Sequence, residues 1–303
     1  MDEQAVDRAA EILRRGGLVA FPTETVYGLG ANALDPAAVA RIYEVKQRPF
    51  ASPLIVHVAD EAMARAITAE WPDIAQKLAK TFWPGPLTLV LKKAEAIPDV
   101  VTAGLPSVGI RMPSHPVAHA LICRAQTPVA APSANRFSEI SPTTAEHVRR
   151  SLGDRVDLIL DGGPTQVGIE STVASLVRIP PAVLRPGMIS QQDLEAATGI
   201  TWDREMDVPH VIAESRGLES PGLHARHYAP RTPFYVLDPG TNPPVGRGRV
   251  LAMPTDPTRY ANQLYAVLHQ ADGEGWDWIA VIRPPNEPEW IGILDRLRRA
   301  SAC

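Results

Sequence analysis

Short apolar runs separated by segments of helical periodicity constrain the fold of this chain most strongly. The runs Leu18–Phe21, Leu54–Val58 and Leu87–Leu91 have the length of buried strands and are far too short to cross a bilayer. Helical spacing recurs between them, for example over 3–15 and over 36–46. Because strands and helices mix without strict alternation, we predict an α/β fold with a sheet of mixed direction.

The regularity of this pattern divides the chain into three parts. Residues 1–200 predict one large α/β domain. From 201 to 233 prolines interrupt the pattern, so we predict a linker that is longer than an ordinary loop, and such loops often have a function. Residues 234–303 again combine strand and helix patterns and predict a small α/β domain with its own core.

Charge and cysteine content argue against several classes of protein. The net charge of −4 disfavours a globally basic nucleic-acid-binding protein, although a single cleft can still be basic. Cys123 and Cys303 form no CxxC or Cys/His cluster, so we expect neither a structural zinc site nor a disulfide framework. The acidic N-terminal residues lack the apolar region of a secretory signal, and we expect a cytoplasmic protein.

The most informative stretch, residues 21–30, reads Phe-Pro-Thr-Glu-Thr-Val-Tyr-Gly-Leu-Gly. It follows a buried strand and concentrates hydroxyl groups and glycines at the strand end, where ligands bind in open α/β sheets. Glycine lets the backbone approach a ligand closely. From the local pattern alone, an ordinary polar turn is an equally good interpretation. The missing third glycine argues against a dinucleotide-binding fingerprint.

Two cations follow the helix predicted over 36–46, which Asp35 is expected to cap. Lys46 and Arg48 are two residues apart, which places them on one face of an extended segment. Two cations directed at one point suit a polyphosphate. Taken alone, however, the pair favours a solvated helix end, where cations complement the helix dipole.

Two further stretches carry polar groups at strand ends. Ser133 and Asn135, in Ala-Pro-Ser-Ala-Asn, can donate to phosphate or carboxylate oxygens, or can cap a turn. Residues 168–173 read Gly-Ile-Glu-Ser-Thr-Val, and Leu-Arg-Pro-Gly follows at 184–187. Arg111, directly after apolar strand residues, can clamp a carboxylate or form a surface salt bridge. No His/Asp pair stands beside Ser133, which disfavours a nucleophilic serine.

Together and in this order, these stretches resemble the YrdC-type threonylcarbamoyl-AMP synthase family over about residues 8–200. Residues 220–230 read Ser-Pro-Gly-Leu-His-Ala-Arg-His-Tyr-Ala-Pro and are similar to the linker of its long, two-domain branch. The resemblance implies a twisted mixed sheet with helices around a deep cleft in a catalytic domain over 1–200. It also implies a small Rossmann-like C-terminal domain over 234–303.

The resemblance implies a nucleotidyltransferase that makes threonylcarbamoyl-AMP from L-threonine, bicarbonate and ATP, for tRNA modification. In the family reaction, the threonine amine captures bicarbonate, and the new carboxylate attacks the α-phosphate and expels pyrophosphate. So anionic a transition state requires cations and fixed hydrogen-bond donors. The implied partner is a tRNA threonylcarbamoyl-transfer complex. No organic cofactor and no membrane are expected, and direct tRNA binding is left open.

The resemblance also implies the site residues. The catalytic residues are Lys46, Arg48, Ser133 and Asn135. The ATP-binding residues are Arg48, Ser52, Ser107, Ser133, Ser141, Arg185 and His224. The threonine-binding residues are Thr25, His57, Arg111, Ala131 and Ser171. Ser52 departs from the family pattern, which often has asparagine or another longer polar residue there. Outside this context, a histidine such as His57 in an apolar strand would be interpreted as a core residue.

The linker is a candidate lid. Gly222 supplies a hinge, and Arg226, His227 and Tyr228, together with His224, are expected to reach the nucleotide. A closed lid would exclude water and protect the carbamate and the acyl adenylate from hydrolysis. We expect Mg²⁺ to arrive with ATP and to be held by phosphates and water, because the sequence has no dedicated carboxylate cage.

Three other functions are considered. A non-catalytic RNA-binding protein would need a basic face with stacking aromatic groups, yet aromatic residues make up 6% of the chain. A carbamoyl-transfer protein of the hydrogenase-maturation type would need zinc sites that two cysteines cannot supply. A nucleotide-binding regulator with an inactive site is disfavoured because all four implied catalytic residues are present.

Overall fold

The computed structural model describes residues 2–204 and 227–301, and their strands form two sheets. The strands are β1 (Val19–Pro22), β2 (Tyr27–Asn32), β3 (Ile55–His57), β4 (Leu87–Lys92), β5 (Ser107–Arg111), β6 (Val129–Ala130), β7 (Leu158–Ile159), β8 (Thr172–Ser175), β9 (Ala182–Arg185), β10 (Asp203–Arg204), β11 (Phe234–Leu237), β12 (Gly248–Val250) and β13 (Trp278–Ile282). The α-helices are α1 (Glu3–Arg14), α2 (Pro36–Lys46), α3 (Glu61–Ala66), α4 (Asp73–Phe82), α5 (Asp99–Thr102), α6 (Pro116–Ala125), α7 (Ala145–Leu152), α8 (Gln191–Thr198), α9 (Pro257–Asp272) and α10 (Ile291–Ser301). Short 3-10 helices span Gly153–Arg155 and Pro288–Trp290.

The larger sheet has ten strands in the order β10-β9-β8-β4-β5-β3-β6-β2-β1-β7. The sheet combines parallel pairs such as β3 with β5 and antiparallel pairs such as β4 with β5, which confirms the predicted α/β sheet of mixed direction. In the β3–β5 pair His57 lies opposite Arg111, so the two strands end side by side at one edge of the sheet. The fold therefore brings together two side chains that lie far apart in the sequence.

Helix α2 delivers Lys46 into the interior. Asp35 caps it by accepting hydrogen bonds from the backbone N–H groups of two following residues, as predicted, and Pro36 occupies its first turn. Lys46 lies on the buried face of the helix. Gln47 then adopts a left-handed conformation with φ of 53°, which ends the helix and turns the chain before Arg48.

The glycine-rich part of residues 21–30 belongs to a strand that the sequence did not predict. Residues 27–32 form β2, which pairs antiparallel with β1. Gly30 is required because a Cβ there would lie 2.7 Å from the Phe21 ring and 2.8 Å from the Val129 side chain. The glycine therefore serves tight packing inside the sheet, and the polar groups of 23–25 lie in the preceding turn.

The C-terminal part has a three-stranded parallel sheet in the order β11-β13-β12. Its apolar core extends into the larger sheet's part of the chain. One buried cluster contains Tyr265 and Leu297 from α9 and α10 together with Val26 and Ile169. Among the described helices, none combines the length and apolar character that crossing a membrane requires. The shared core places α10 behind the edge of the sheet at which His57 and Arg111 lie.

Candidate active site

One cavity, which is open to solvent, joins all four polar stretches. It lies where β3, β5 and β9 end and where the turn between β1 and β2 meets the segment after β6. Its lining residues are Thr23, Thr25, Val26, Gly28, Arg48, Ile55, His57, Arg111, Ala131, Pro132, Ser133, Glu170, Ser171, Arg185, His227 and Tyr228.

The residues implied as catalytic meet at one end of this cavity. The Lys46 ammonium donates to the backbone carbonyl of Ser133 at 2.6 Å and to that of Asn135. The Asn135 amide in turn donates to the Glu139 carbonyl at 2.8 Å. Arg48 and Ser133 line the cavity, whereas Lys46 and Asn135 lie behind that lining. Lys46 therefore fixes the course of the 133–135 segment.

Burial alters the two cations of this end to different extents. Burial, reinforced by the nearby positive charge of Arg48, holds the pKa of Lys46 well below its usual value. The same loss of solvation lowers the pKa of Arg48 to about 10, so this guanidinium stays charged at neutral pH. Arg48 donates to the Pro53 carbonyl at 3.1 Å, and its charged carbon lies 5.8 Å from the centre of the Phe137 ring.

Arg111 is held by a partner that the sequence analysis missed. Its guanidinium lies 2.7 Å from the Glu24 carboxylate, and both side chains are about 5% exposed. It also donates to the Thr25 hydroxyl at 2.9 Å and to the Gly85 carbonyl at 3.3 Å. The alternative of a surface salt bridge is therefore wrong. A buried arginine fixed from two sides is suited to bind a carboxylate.

His57 is a neutral, incompletely bonded histidine in the cavity wall. Burial, with a further contribution from Arg111, lowers the pKa of His57 to about 3. Its Nδ1 atom is buried and has no hydrogen-bond partner among the residues that the structure describes. The Phe21 ring meets it edge-on, with the ring centroids 6.2 Å apart. An ordinary core histidine would be satisfied, so this atom indicates a ligand position.

Ser171 and Arg185 form the opposite wall. Arg185 donates to both the carbonyl and the hydroxyl of Ser171 at 3.1 Å, and the same hydroxyl lies 2.8 Å from that of Thr88. Next to them lies Glu170, a second residue that the sequence analysis did not single out. Its carboxylate accepts a hydrogen bond from the Ser141 hydroxyl at 2.6 Å. Ser141 is thereby oriented toward Glu170, and it does not line the cavity.

Comparisons with known proteins agree with this geometry. The Sua5_yciO_yrdC family model, described as "Telomere recombination", matches residues 11–187, which is more than half of the chain. The chain belongs to the Sua5–YciO–YrdC family. A second family model, described as "Threonylcarbamoyl-AMP synthase, C-terminal domain", matches residues 189–302. The sequence resemblance to the two-domain branch is therefore confirmed.

Relatives of this chain include two proteins named threonylcarbamoyl-AMP synthase. The Pyrococcus abyssi protein is 46% identical over 240 residues, which cover 78% of this chain and 69% of the relative. The Bacillus subtilis protein is 47% identical over 239 residues, covering 78% and 68%. The crystal structure of P. abyssi Sua5 complexed with L-threonine has a TM-score of 0.89 and 38% identity, covering 99% of this chain and 95% of that one.

The five residues implied for threonine binding all line the cavity of this family member: Thr25, His57, Arg111, Ala131 and Ser171. Of those implied for ATP binding, Arg48, Ser133 and Arg185 line it. Ser52 is buried outside the lining, and its carbonyl accepts from the Tyr43 hydroxyl at 3.1 Å. Ser107 begins β5, four residues before Arg111, and so lies about 13 Å along the strand from the cavity edge.

Two residues of the candidate lid reach the cavity. His227 and Tyr228 both line it. The ring centroids of His227 and Phe137 lie 5.6 Å apart, and Phe137 is also the ring that Arg48 contacts. Tyr228 adopts a positive φ of 61° and is 1% exposed. Gly222, His224 and Arg226 lie outside the described residues.

Proposed function

We propose that this chain synthesises threonylcarbamoyl-AMP from L-threonine, bicarbonate and ATP, as a nucleotidyltransferase. The observation that carries the proposal is a cavity lined by three buried arginines, Arg48, Arg111 and Arg185, next to His57, whose Nδ1 has no hydrogen-bond partner within 2–204 and 227–301. Guanidinium groups at such a site suit the carboxylate of an amino acid and the phosphates of a nucleotide. The names of the P. abyssi and B. subtilis relatives, and the bound L-threonine in the P. abyssi structure, support it.

Threonine would bind at the end that contains Arg111. The guanidinium would hold the amino-acid carboxylate, since it is already fixed by Glu24 and Thr25. The neutral His57 would accept a hydrogen bond from the substrate hydroxyl or donate one to it. A site that pairs buried groups with a substrate hydroxyl rejects analogues without it by up to about 10⁴–10⁵-fold. This end of the cavity therefore accounts for selectivity.

Adenylation would take place at the other end. The threonine nitrogen forms a bond to the bicarbonate carbon with loss of water, and a carbamate oxygen then attacks the α-phosphorus. The bond from that phosphorus to the bridging oxygen breaks, and pyrophosphate leaves. Arg48 and Arg185 would stabilise the negative charge that develops on the phosphates. Lys46 would act by fixing Ser133 and Asn135.

Mg²⁺ that accompanies ATP is treated as part of the substrate. Within 2–204 and 227–301, no three His, Cys, Asp or Glu side chains come close enough together to hold a metal. The carboxylate that lines the cavity, Glu170, is already bonded to Ser141, Tyr265 and Arg296. Because these bonds occupy its oxygens, Glu170 does not fit the role of a metal ligand.

The proposal includes a cytoplasmic reaction whose labile product passes to a tRNA-modifying transfer complex. The test is mass spectrometry after incubation with ATP, L-threonine and ¹³C-bicarbonate. We expect a labelled threonylcarbamoyl adenylate and stoichiometric pyrophosphate, both absent when threonine is omitted. If pyrophosphate is not released and the protein instead binds RNA tightly, the chain is a non-catalytic RNA-binding member of its family.

A truncation tests the lid. Deletion of residues 205–303 is expected to abolish product accumulation, because it removes His227 and Tyr228 from the cavity wall. Full product accumulation by the truncated chain would exclude a lid function for this segment.

A further inference from the structure

The C-terminal helix α10 sends one fully buried arginine toward the active-site wall. The side chain of Arg296 is 0% exposed. Its guanidinium donates to the Glu170 carboxylate at 2.7 Å, to the Glu170 carbonyl at 3.3 Å and to the Pro186 carbonyl at 2.9 Å. Glu170 directly precedes Ser171, and Pro186 directly follows Arg185. One side chain therefore binds both chain segments that carry this wall of the cavity.

The backbone of α10 also lies against the same segments. A Cβ at Gly292, one turn before Arg296, would lie 2.6 Å from the carbonyl oxygen of Gly187. A Cβ at Gly187 would in turn lie 2.5 Å from the backbone nitrogen of Thr172. Because glycine at both positions allows this close approach, the helix cannot shift without moving the wall.

At this contact the positive charge of Arg296 is paired with the negative charge of the Glu170 carboxylate. The Glu170 carboxylate also accepts hydrogen bonds from Ser141 at 2.6 Å and from the Tyr265 hydroxyl at 3.0 Å. Burial by itself would raise the pKa of Glu170, but the attraction of Arg296 contributes most to a net lowering. The guanidinium further lies 5.2 Å from the centre of the Tyr228 ring. It thus contacts a candidate lid residue as well as the wall.

We propose that Arg296 is a positioning residue through which the C-terminal part of the chain orders the wall formed by Ser171 and Arg185. Its three bonds link both segments to α10, whereas the β8–β9 pairing and the bonds from Arg185 to Ser171 link this wall only to itself. The C-terminal part then completes the active site from behind, in addition to any covering by the linker. A kinetic experiment on this role rests on the proposed function, whereas a measurement of stability does not.

The kinetic experiment compares two buried arginines of the same helix. Arg299 binds Asp295 at 3.0 Å, and Asp295 also lies 2.9 Å from Arg296, so this control removes a charge from the same cluster while the bonds from Arg296 to Glu170 remain. We expect Arg296→Met to raise the KM for threonine at least about tenfold and to lower kcat/KM about 10²-fold, because a displaced wall misplaces substrate groups. Arg299→Met should lower Tm but leave the KM values unchanged. Arg296→Lys, which keeps the charge, should recover part of the loss.

The stability measurement follows Tm from pH 5 to pH 8. In Arg296→Met the buried Glu170 loses the largest of the interactions that lower its pKa, while Arg185 and Ser141 still lower it. Its pKa should therefore be higher than in the wild type, so its ionisation favours folding less as the pH rises. The Tm deficit relative to wild type should therefore grow with pH. Asp295 also pairs with Arg296, at 2.9 Å, and keeps Arg298 and Arg299 as partners in both variants. Glu170→Gln in the same background removes the Glu170 carboxyl, so the deficit of this double variant should grow less with pH than that of Arg296→Met.

Wild-type KM values in Arg296→Met, or the same deficit at every pH, would overturn the positioning role. If Arg296→Met does not fold, Tyr265→Phe removes one hydrogen bond to the same carboxylate. It should raise the threonine KM in the same sense by a smaller factor, and an unchanged KM would again refute the proposal. A wild-type protein without turnover would refute the proposed function alone, since the pH series would still decide the pairing of Glu170.

Discussion

Replacement of Arg111 by methionine tests whether one buried arginine both stabilises the fold and binds threonine. Methionine keeps similar bulk but removes the charge, so the Glu24 carboxylate remains buried at 5% exposure. The Glu24 carboxylate still accepts a hydrogen bond from the backbone N–H of Ser114 at 3.1 Å. Breaking a buried ion pair from one side costs about 3–5 kcal/mol. At roughly 2–4 °C per kcal/mol for a chain of this size, Tm should fall by at least about 6 °C.

A double variant separates the two functions of this arginine. Glu24→Gln combined with Arg111→Met removes both charges, so most of the stability should return, to within about 1 kcal/mol of wild type. Threonine binding should not return, because the carboxylate clamp is still missing. The loss of a charge-assisted hydrogen bond of about 1.5–3 kcal/mol corresponds to roughly 10–150-fold weaker binding.

The measurements are calorimetric unfolding at pH 7 and isothermal titration with L-threonine. Glu24→Gln alone is the matched control, because it keeps Arg111 and its bond to Thr25. Equal destabilisation of the single Arg111 variant and the double variant would refute the buried-pair argument. Recovery of threonine binding by the double variant would show that Arg111 is not the clamp.

Three further predictions concern other parts of the structure. Lys46→Met should slow pyrophosphate release about 10²-fold in a coupled assay, since the 133–135 segment loses its tie; an unchanged rate would contradict this role. Gly30→Val should lower the unfolding free energy in urea by at least about 1–3 kcal/mol, because its Cβ would overlap the Phe21 ring; wild-type stability would count against the tight packing. The rings of His147 and His269 stack 3.8 Å apart, and burial lowers the pKa of both, that of His147 to about 3. The unfolded chain therefore takes up protons below about pH 6.5 that the folded chain does not, so Tm should fall between pH 7 and pH 5, and less steeply in His269→Phe.

Local patterns in the sequence predicted the individual elements that end in the active site. Helix α2 was predicted over 36–46 with Asp35 as its cap, and the structure confirms both, because capping and helical periodicity act within a few residues. A strand was also expected over 54–58, and β3 spans Ile55–His57. Strand β2 was missed because its glycines are unfavourable in strands unless a large neighbour such as Phe21 fills their space, and that neighbour is a property of the folded sheet.

The sequence predicted which types of residue form the candidate site, but not which of them pair with each other. The motifs identified Arg111 as a cation at a strand end, but which carboxylate it meets depends on how the turn at Glu24 lies across the sheet. The expectation that the C-terminal part has its own core missed that this core is shared with residues such as Ile169. A contact is buried only when two segments of the chain meet in the folded structure, so the sequence of one segment alone does not indicate it.

The amino-acid sequence by itself determined many of the helices and strands, the family and the set of groups available for chemistry, because these follow from spacing and composition along the chain. The tertiary structure decided which of those groups meet. Glu170 and Arg296 are 126 residues apart, and their pairing exists only because the β8 edge and α10 exclude water from the same place. Charge pairing in a buried site is a consequence of shared desolvation, and desolvation is a property of the assembled fold.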